Sequence, residues 1–474
     1  MKKIVLVILV AALLLPLVSC GGSGKGEETT TTGQLTDTGS DTSPSGTTET
    51  GEAGTTETSE PGTTETSTAE TTETIESETT EVPREIPPVS LDMLPKFDRG
   101  AVTSDYDCGD GVYMRYIEGL LQSGFSECLG ILEAEGYTKL SYAEMGKNYF
   151  WTYVKDTIQV YAYYCTVEAA ARFIISPNDS TADSKINNKN TGNGEVLLTQ
   201  VGINYESKPN GMSYIIRTPT GSFIVIDGGW DGQGEAEKIL NLLKEQNTRG
   251  GKPEVAAWIL THPHSDHIGA ISEFAKLYYN QIELKRIIYN FVNDEVMKAS
   301  DSEKMITNSN SYYAILRRAL ANKSIWGNVL QVKPHTGQTL TFDGVSITIT
   351  GTHEDVFPAL DKLQSMNASS MSFIVETAGN RIFFLGDSTA TVTDKLAKRY
   401  GKWLKCDYLQ PTHHGTTGGN LNLYSYVSPQ VCLWCVPPSR FEEYKNSDFN
   451  QYLLKNVKTH YFDEGTVTLT ISPK

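Results

Sequence analysis

The segment THPHSDHIGA, residues 261–270, concentrates three of the eight histidines of the chain, with one aspartate, between two regular elements. The run EVAAWIL before it is short and apolar, which predicts a buried β-strand. The run ISEFAKLYY after it has the apolar spacing of a helix. A strand that leads through polar residues into a helix is typical of α/β architecture. We therefore expect an α/β core around this segment.

The spacing within this segment favours metal binding. His262 and His264 lie two positions apart just beyond the strand, so an extended backbone turns both imidazoles to the same side. Asp266 and His267 follow at the start of the helix. Imidazole nitrogens and carboxylate oxygens are common metal ligands, and these four can serve two neighbouring ions. The alternative interpretation is a polar surface loop.

Two further strand ends carry residues of the same kinds. Asp387 follows the run NRIFFLG, a place suited to a carboxylate that bridges two cations. His413 and His414 follow CDYLQPT and precede a glycine. Five of the eight histidines thus lie at two predicted strand ends, which is typical of a two-metal hydrolytic centre. The remaining three lack partners nearby in the sequence and are expected to be surface or packing residues: His335, His353 and His460.

Together, the motifs IDGG, HPHSDHIG, LGD and HHG resemble the metallo-β-lactamase superfamily. The resemblance covers roughly residues 196–474 and implies an αββα sandwich with the metal site at one edge of the two sheets. It implies two divalent ions, zinc in the first place, with manganese or iron as alternatives. The whole chain is then an α/β protein in which a small α+β domain and a disordered spacer precede the sandwich.

The resemblance also implies a role for each residue of the motifs. His262 and His264 would bind the first ion, and Asp266 and His267 the second. Asp387 would bridge the two ions. One histidine of the pair at 413–414, which we take to be His414, would complete the second site. A further residue, Asp227, would order the ligand loop without binding metal itself.

One turn departs from the commonest pattern of that superfamily. Many members have another histidine between the first motif and the bridging aspartate, where this chain has MNASSMSFIVE. Asn367 and Ser370 of this turn are expected beside the metals or the substrate. An asparagine here, with the HH pair, resembles two branches: the nuclease-like domains of competence DNA-uptake proteins and the phosphorylcholine esterases of teichoic acid. The stretch VPPSRFEEYKNSDFN lacks the histidine of the first branch, which favours an esterase-like extracellular enzyme.

The function implied is metal-dependent hydrolysis, and two cations that activate a shared water suit a phosphodiester. Asp266, His413 and His414 are expected to act in catalysis, the histidine that does not bind metal donating a hydrogen bond to the phosphate or the leaving oxygen. The expected substrate is an anionic polymer, either cell-envelope polymer or nucleic acid, and no stable protein partner is expected. A β-lactamase or lactonase of the same fold is one alternative, and a wall-bound binding protein with a vestigial site is another.

The first 87 residues predict export and tethering. Residues 1–20 combine two lysines, an apolar run and LVSC, which resembles a bacterial lipoprotein signal with Cys20 as the lipidated residue. Residues 21–87 are rich in threonine and glutamate and almost free of large apolar side chains, so we expect a disordered spacer. The spacer holds 15 acidic and 2 basic residues and accounts for most of the net charge of −17. The expected location is the extracellular face of a membrane, bound through lipid on Cys20.

Residues 91–180 are expected to form a small α+β domain whose role stays open. YMRYIEGLLQSGFSECLGILEAEGY predicts a helix, while YFWTYVKDTIQVYAYYCTV and ARFIIS predict strands. The tyrosines could form a sugar- or wall-binding face, although alternating aromatic residues in a hairpin more often form core. A linker at 176–195 leads to the domain at 196–474.

Six cysteines follow Cys20, and their spacing does not suggest a disulfide framework. A pairing of Cys108 with Cys128 stays open. The motif CLWC at 432–435 lies in an apolar run, which predicts a buried strand with the two sulfurs on opposite sides.

Overall fold

The predicted signal peptide and spacer lie outside the residues that the structure describes. The computed structural model describes residues 88–177, 186–204, 210–300, 311–356 and 366–474. These residues all belong to one compact unit, Glu81–Lys474. In this described part of the chain, no helix has the length and apolar character needed to cross a membrane.

The strands of the described residues are, in chain order, β1 Val102–Gly109, β2 Val112–Glu118, β3 Thr138–Met145, β4 Asn148–Lys155, β5 Ile158–Cys165, β6 Ala170–Pro177, β7 Val196–Gln200, β8 Ser213–Arg217, β9 Phe223–Asp227, β10 Glu254–Ile259, β11 Glu283–Leu284, β12 Arg286–Ile288, β13 Leu330–Val332, β14 Thr339–Phe342, β15 Val345–Gly351, β16 Ser372–Thr377, β17 Asn380–Phe384, β18 Tyr408–Gln410, β19 Val431–Trp434, β20 Thr459–Phe462 and β21 Val467–Ile471. The α-helices are α1 Gln122–Ala134, α2 Glu235–Glu245, α3 Ser265–Leu277, α4 Asp294–Ser300, α5 Tyr312–Ala321, α6 Ala390–Tyr400, α7 Leu421–Val427, α8 Pro438–Phe441 and α9 Asp448–Asn456.

The first sheet is antiparallel and has the strand order β1-β2-β6-β5-β4-β3. Helix α1 covers one face, where Phe125 and Leu132 share a core with Phe173. The opposite face contributes residues such as Tyr161 and Ile174 to the large core of the rest of the molecule. The central strands β5 and β6 are therefore buried on both faces, which explains their many apolar and aromatic side chains.

The helix predicted from YMRYIEGLLQSGFSECLGILEAEGY was wrong in its first third. Residues 113–118 of this stretch belong to β2, which pairs with β1 on one side and β6 on the other, and α1 begins only at Gln122. The aromatic and β-branched residues of VYMRYIE suit a sheet, and pairing with distant strands overrides any local helical pattern. The predicted strands and the turn at Lys155-Asp156 are confirmed.

The second and third sheets pack face to face. Their strand orders are β13-β12-β10-β9-β8-β7-β21, with β11 beside β10, and β14-β15-β16-β17-β18-β19-β20. A core lies between them, with Ile216 and Ile226 from one sheet and Phe373 and Phe384 from the other. Helices α2, α3 and α5 pack on the second sheet, and α6, α7 and α9 pack beside the third. This is the predicted αββα sandwich, and the fold class is confirmed.

Parallel strands bring the ligand loops to one edge of the sandwich. β9, β10, β12 and β13 run parallel to one another, as do β17, β18, β19 and β20. The carboxyl ends of parallel strands share an edge of their sheet, where α/β folds place their ligands. Asp227 ends β9 and His262 follows β10 in the second sheet. Asp387 and His413 follow β17 and β18 in the third.

A buried network of charged groups joins the first sheet to the sandwich. Arg399 of α6 donates to Oε1 of Glu168 from Nε at 2.9 Å and from Nη2 at 2.6 Å, and it also binds Asp355. Tyr163 of β5 donates to Oδ1 of Asp355 at 2.6 Å. Arg172 of β6 donates to the carbonyl oxygen of Asp355 at 3.2 Å. The boundary between the expected domains 91–180 and 196–474 stays a prediction, since the two parts share both core and polar contacts.

The six cysteines of the described residues are buried and free. Cys432 packs into the core that the helices share, and Cys435 packs into the core between the two sheets. The predicted opposite orientation of the two sulfurs is confirmed.

Candidate metal centre

The first ligand motif is held between a strand end and a helix start. His262 and His264 follow β10 in extended backbone, and α3 begins at Ser265. Nε2 of His262 lies 3.0 Å from Nδ1 of His264. Asp266 and His267 lie in the first turn of α3, so all four side chains face one place.

Asp227 holds this loop in place through hydrogen bonds. Its Oδ1 accepts the amide hydrogen of Thr261 at 2.8 Å, and its Oδ2 accepts the hydroxyl of the same residue at 2.7 Å. Oδ2 also lies 2.7 Å from Nδ1 of His267. Because Nδ1 of His267 is engaged, Nε2 is the nitrogen left for a ligand, which is how carboxylates orient metal-binding histidines. Asp227 is fully buried and adopts a φ of 52°, in the left-handed region.

Asp387 lies at the centre of the histidines. Its Oδ2 is 3.4 Å from Nε2 of His267 and 3.3 Å from Nε2 of His414. The same oxygen is 3.8 Å from Nε2 of His262. The amide of Asp387 donates to Oγ of Ser370 at 3.1 Å, which places this predicted residue directly behind the carboxylate.

The side chains form two groups in which the potential ligand atoms lie within 4.8 Å of one another. The first group is Asp266, His267, Asp387 and His414, and the second is His262, His264 and Asp387. Asp387 belongs to both groups, so one carboxylate can serve two cations.

The donor atoms of the centre fit divalent metal ions. Nε2 of His267, Nε2 of His414 and Oδ1 of Asp387 are buried and have no hydrogen-bond partner among the described residues. Buried polar atoms without partners cost free energy, and a cation would satisfy all three. The mixture of imidazole and carboxylate donors suits zinc, and also manganese or iron.

Electrostatics favour the ligand forms of two central groups. Burial, together with the neighbouring His267 and His264, lowers the pKa of His262 well below its ordinary value, so this imidazole is neutral. At Asp387 burial alone would raise the pKa, but His414 and His267 outweigh it and hold the pKa well below its usual range. A neutral imidazole and an ionised carboxylate are the states that bind metal.

The same carboxylates act in the opposite direction on two other imidazoles. Burial alone would lower the pKa of His267 and His414, but Asp387 outweighs it, with help from Asp266, and raises both pKa values well above 6.5. A cation that binds here must displace these protons.

The sequence left open which histidine of the pair at 413–414 binds metal, and the two differ in position. His414 is fully buried and belongs to the first ligand group. His413 lies at the mouth with 30% of its side chain exposed, and its Nδ1 is 2.5 Å from the hydroxyl of Thr417. Nδ2 of Asn367 lies 3.3 Å from Nε2 of His413, so the turn predicted beside the metals contacts the histidine at the mouth.

Two supporting residues were missed by the sequence analysis. Asn210 donates from Nδ2 to Oδ2 of Asp266 at 3.0 Å. Gln410, at the end of β18, accepts the amide hydrogens of Leu385 and Gly386 at 2.9 Å and shapes the loop that carries Asp387. Neither residue lies in a ligand motif. The one available signal was the place of Asn210 just before the hairpin that ends in IDGG.

The other three histidines lie outside both ligand groups. His335 and His353 are buried and His460 is half-buried, which agrees with packing positions. Folding supplies each of them with a polar neighbour that is distant in sequence. Nδ1 of His335 lies 2.8 Å from Oε1 of Glu354, and Nδ1 of His460 accepts from the indole of Trp434 at 3.0 Å.

Comparison with solved structures finds partial similarity to several chains at low sequence identity. CmlA, a diiron β-hydroxylase from Streptomyces venezuelae, is 14% identical, with 59% of this chain and 54% of that chain covered and a TM-score of 0.35. The metallo-β-lactamase fold protein YhfI from Bacillus subtilis is 11% identical, with 58% and 99% covered and a TM-score of 0.34. A metallo-β-lactamase from Cronobacter sakazakii with a HARLDQ motif is 17% identical, with 40% and 60% covered and a TM-score of 0.24. The match to CmlA thus spans about half of that protein.

No curated protein sequence matches the chain. The sequence profile of the Metallo-beta-lactamase superfamily matches residues 209–427, which include both ligand groups. Residues 209–427 therefore match a domain of the metallo-β-lactamase superfamily, whose members are generally metal-dependent hydrolases.

Proposed function

We propose that this centre hydrolyses phosphodiester bonds in an anionic polymer, of the cell envelope or of nucleic acid. The observation that carries the proposal is the place of Asp387 in both ligand groups. Two divalent ions held by these residues would supply Lewis acidity, would lower the pKa of a water and would neutralise the phosphate oxygens.

Residues around the ligands fix the orientation of the ligand side chains. Asp227 fixes the ring of His267 through Nδ1, and Asn210 fixes the carboxylate of Asp266. In comparable sites, the loss of such a supporting contact lowers metal affinity roughly 10- to 100-fold. The catalytic assignments of Asp266, His413 and His414 rest on this arrangement.

His413 is placed to contact the substrate. It lies outside both ligand groups and is partly exposed. Asn367 and Thr417 hold its ring on two sides. A substrate phosphate or leaving oxygen that displaces the amide of Asn367 would receive a hydrogen bond from Nε2 of His413. Asn367 beside it, in place of a further metal-binding histidine, favours a phosphate with two charged oxygens over a lactam carbonyl as the substrate group.

The test compares chromogenic substrates on the purified chain loaded with zinc, manganese or iron. We expect hydrolysis of bis-(p-nitrophenyl) phosphate or p-nitrophenyl phosphorylcholine, abolished by EDTA, and little or no turnover of a chromogenic cephalosporin. His413→Gln should lower kcat by roughly 10²-fold or more without loss of metal, because it removes a proton donor. His414→Gln should lose metal together with activity.

Two outcomes would contradict this proposal, and each would favour a different function. Efficient cephalosporin or lactone hydrolysis with inert phosphodiesters would favour a β-lactamase or lactonase of the same fold. A chain that binds no metal and hydrolyses none of these substrates would favour a wall-bound binding protein with a vestigial site.

We also propose that the enzyme acts outside the cell, on a lipid anchor at Cys20. The support is the signal-like segment that ends in LVSC, followed by a spacer of low apolar content. Cys20→Ala should release the protein from membranes into the medium or stall its processing, as measured by fractionation and immunoblotting. Cys108→Ala is the matched control and should leave the distribution unchanged. Membrane association that persists in Cys20→Ala would contradict the anchor.

A further inference from the structure

A second cavity lies apart from the metal ligands, between the first sheet and the sandwich. Its volume is about 430 Å³, in the range of small-ligand sites. One wall is the turn between β1 and β2 with the end of β6. The other wall comes from residues that follow β12 and β13 and from α5. Since β10, β12 and β13 are parallel, this cavity opens at the same sheet edge as the metal motif, beyond the neighbouring strands.

We infer that this cavity binds a sugar phosphate, with Arg317 and Lys333 holding the phosphate. Both side chains line the cavity, and each lies over an aromatic ring that also lines it. The guanidinium of Arg317 is 4.4 Å from the ring centre of Tyr313, and Nζ of Lys333 is 5.8 Å from that of Tyr289. The rings hold the cationic side chains in place without occupying their hydrogen-bond donors, which at present pair with Asp110 and Asp294.

A third donor comes from a buried histidine. His335 lines the cavity with only 3% of its surface exposed, and its ring stacks on Tyr161. Its Nδ1 is engaged by the carboxylate of Glu354 at 2.8 Å, which leaves Nε2 for a ligand. Ser176 and Gln331 add a hydroxyl and an amide to the lining, groups that suit the hydroxyls of a sugar.

A phosphate ligand can displace the carboxylates that now pair with Lys333 and Arg317. Lys333 pairs with Asp110, whose side chain is 70% exposed on the β1–β2 turn. Arg317 pairs with Asp294, and both of these side chains are about half exposed. Exposed ion pairs are weak, so a phosphate with a double charge competes well against either carboxylate. Asp110 is the acidic residue within the lining, and it should oppose anion binding.

The experiment is calorimetric titration of the full chain in EDTA, so that phosphate cannot bind through metal ions at the other centre. The probes are ribose 5-phosphate, glycerol 3-phosphate, inorganic phosphate and free ribose. We expect ribose 5-phosphate to bind most tightly, and free ribose to bind weakly or not at all. A preference for glycerol 3-phosphate would still support the phosphate site but would overturn the choice of a sugar ring.

Four variants separate ligand binding from structural roles. Lys333→Met and Arg317→Met should each weaken binding about tenfold, the worth of a charge-assisted hydrogen bond. Asp110→Asn should tighten binding several-fold, a change that a purely structural ion pair would not produce. Arg318→Met, on the same helix but outside the lining, should leave binding unchanged. All four side chains reach the surface, so the variants should fold.

The inference is overturned if no probe binds at millimolar concentration, or if Lys333→Met and Arg317→Met bind ribose 5-phosphate as the unchanged chain does. Because the readout is binding without metal, this test is independent of the outcome for phosphodiester hydrolysis.

Discussion

Asp387 is the residue on which both ligand groups depend. Its carboxylate faces histidines from two loops, and its own loop is shaped by Ser370 and Gln410. By contrast, Asp266 belongs to one group and is held by Asn210. The two aspartates should therefore differ in what their removal does to the metal content.

We predict that Asp387→Ala loses both metal ions, because a shared ligand serves both sites. Asp266→Ala should lose mainly one. Metal content of the purified variants by plasma mass spectrometry gives the stoichiometry. Asp394→Ala, which removes a partly exposed carboxylate of α6, is the control and should keep both ions. Full occupancy in Asp387→Ala would refute the bridging position.

At the level of elements, tight turns after the strands decide how the ligands point. After β18 the chain passes through three residues of positive φ: His413 at 49°, His414 at 57° and Gly415 at 80°. Side chains other than glycine pay roughly 1–3 kcal/mol for such backbone, and this strain is concentrated at functional sites. A Cβ on Gly415 would lie 2.4 Å from Cε3 of Trp434, so glycine is required there for space as well as for φ.

We predict that Gly415→Ala lowers the free energy of unfolding by about 2–4 kcal/mol, the sum of strain and overpacking, and weakens the site that contains His414. Urea unfolding and metal titration measure the two effects. Gly232→Ala is matched in φ, at 69°, but meets no atom within 4 Å. It should cost only the strain and leave metal binding intact. Equal effects of the two substitutions would contradict the steric argument.

Across the whole molecule, the buried network joins the first sheet to the sandwich. Burial alone would raise the pKa of Glu168, but the guanidinium groups of Arg399 and Arg172 outweigh it and lower the pKa to about 2 from an ordinary 4.5. The pKa of Asp355 is lowered in the same way against burial, by the same two arginines. The interface is therefore held together by carboxylates that must stay ionised.

The sign of the pH dependence follows from this lowered pKa. The stabilisation by Glu168 is complete above pH 4.5 and is lost as the pH falls towards 2. The shift corresponds to a loss on the order of 3 kcal/mol. Urea unfolding across this range should show a steeper decline for the unchanged chain than for Glu168→Gln. Glu376→Gln, which removes the exposed carboxylate of a pair with the partly buried Arg381, should behave as the unchanged chain does. Equal slopes for all three would contradict this role of Glu168.

The sequence alone determined those features that depend on neighbours along the chain. The strand, ligand and helix order around His262 and Asp266 is local, and the period of apolar residues predicts both elements. The prediction of the αββα fold rested on the family resemblance of four motifs together, and not on the periodicity of apolar residues. Where a local pattern competed with distant pairing, as in residues 113–118, the prediction was wrong, because the partner strand and not the segment itself decides between helix and sheet.

Only the tertiary structure decided which of two adjacent histidines faces the ligand group, because His413 and His414 have the same chemistry and differ in the direction that a left-handed turn imposes. It also decided that Asn210 supports Asp266, and that His335 and Lys333 line a cavity with a turn from the first sheet. These contacts join residues far apart in sequence. Since their geometry depends on how whole sheets pack, no local pattern encodes it.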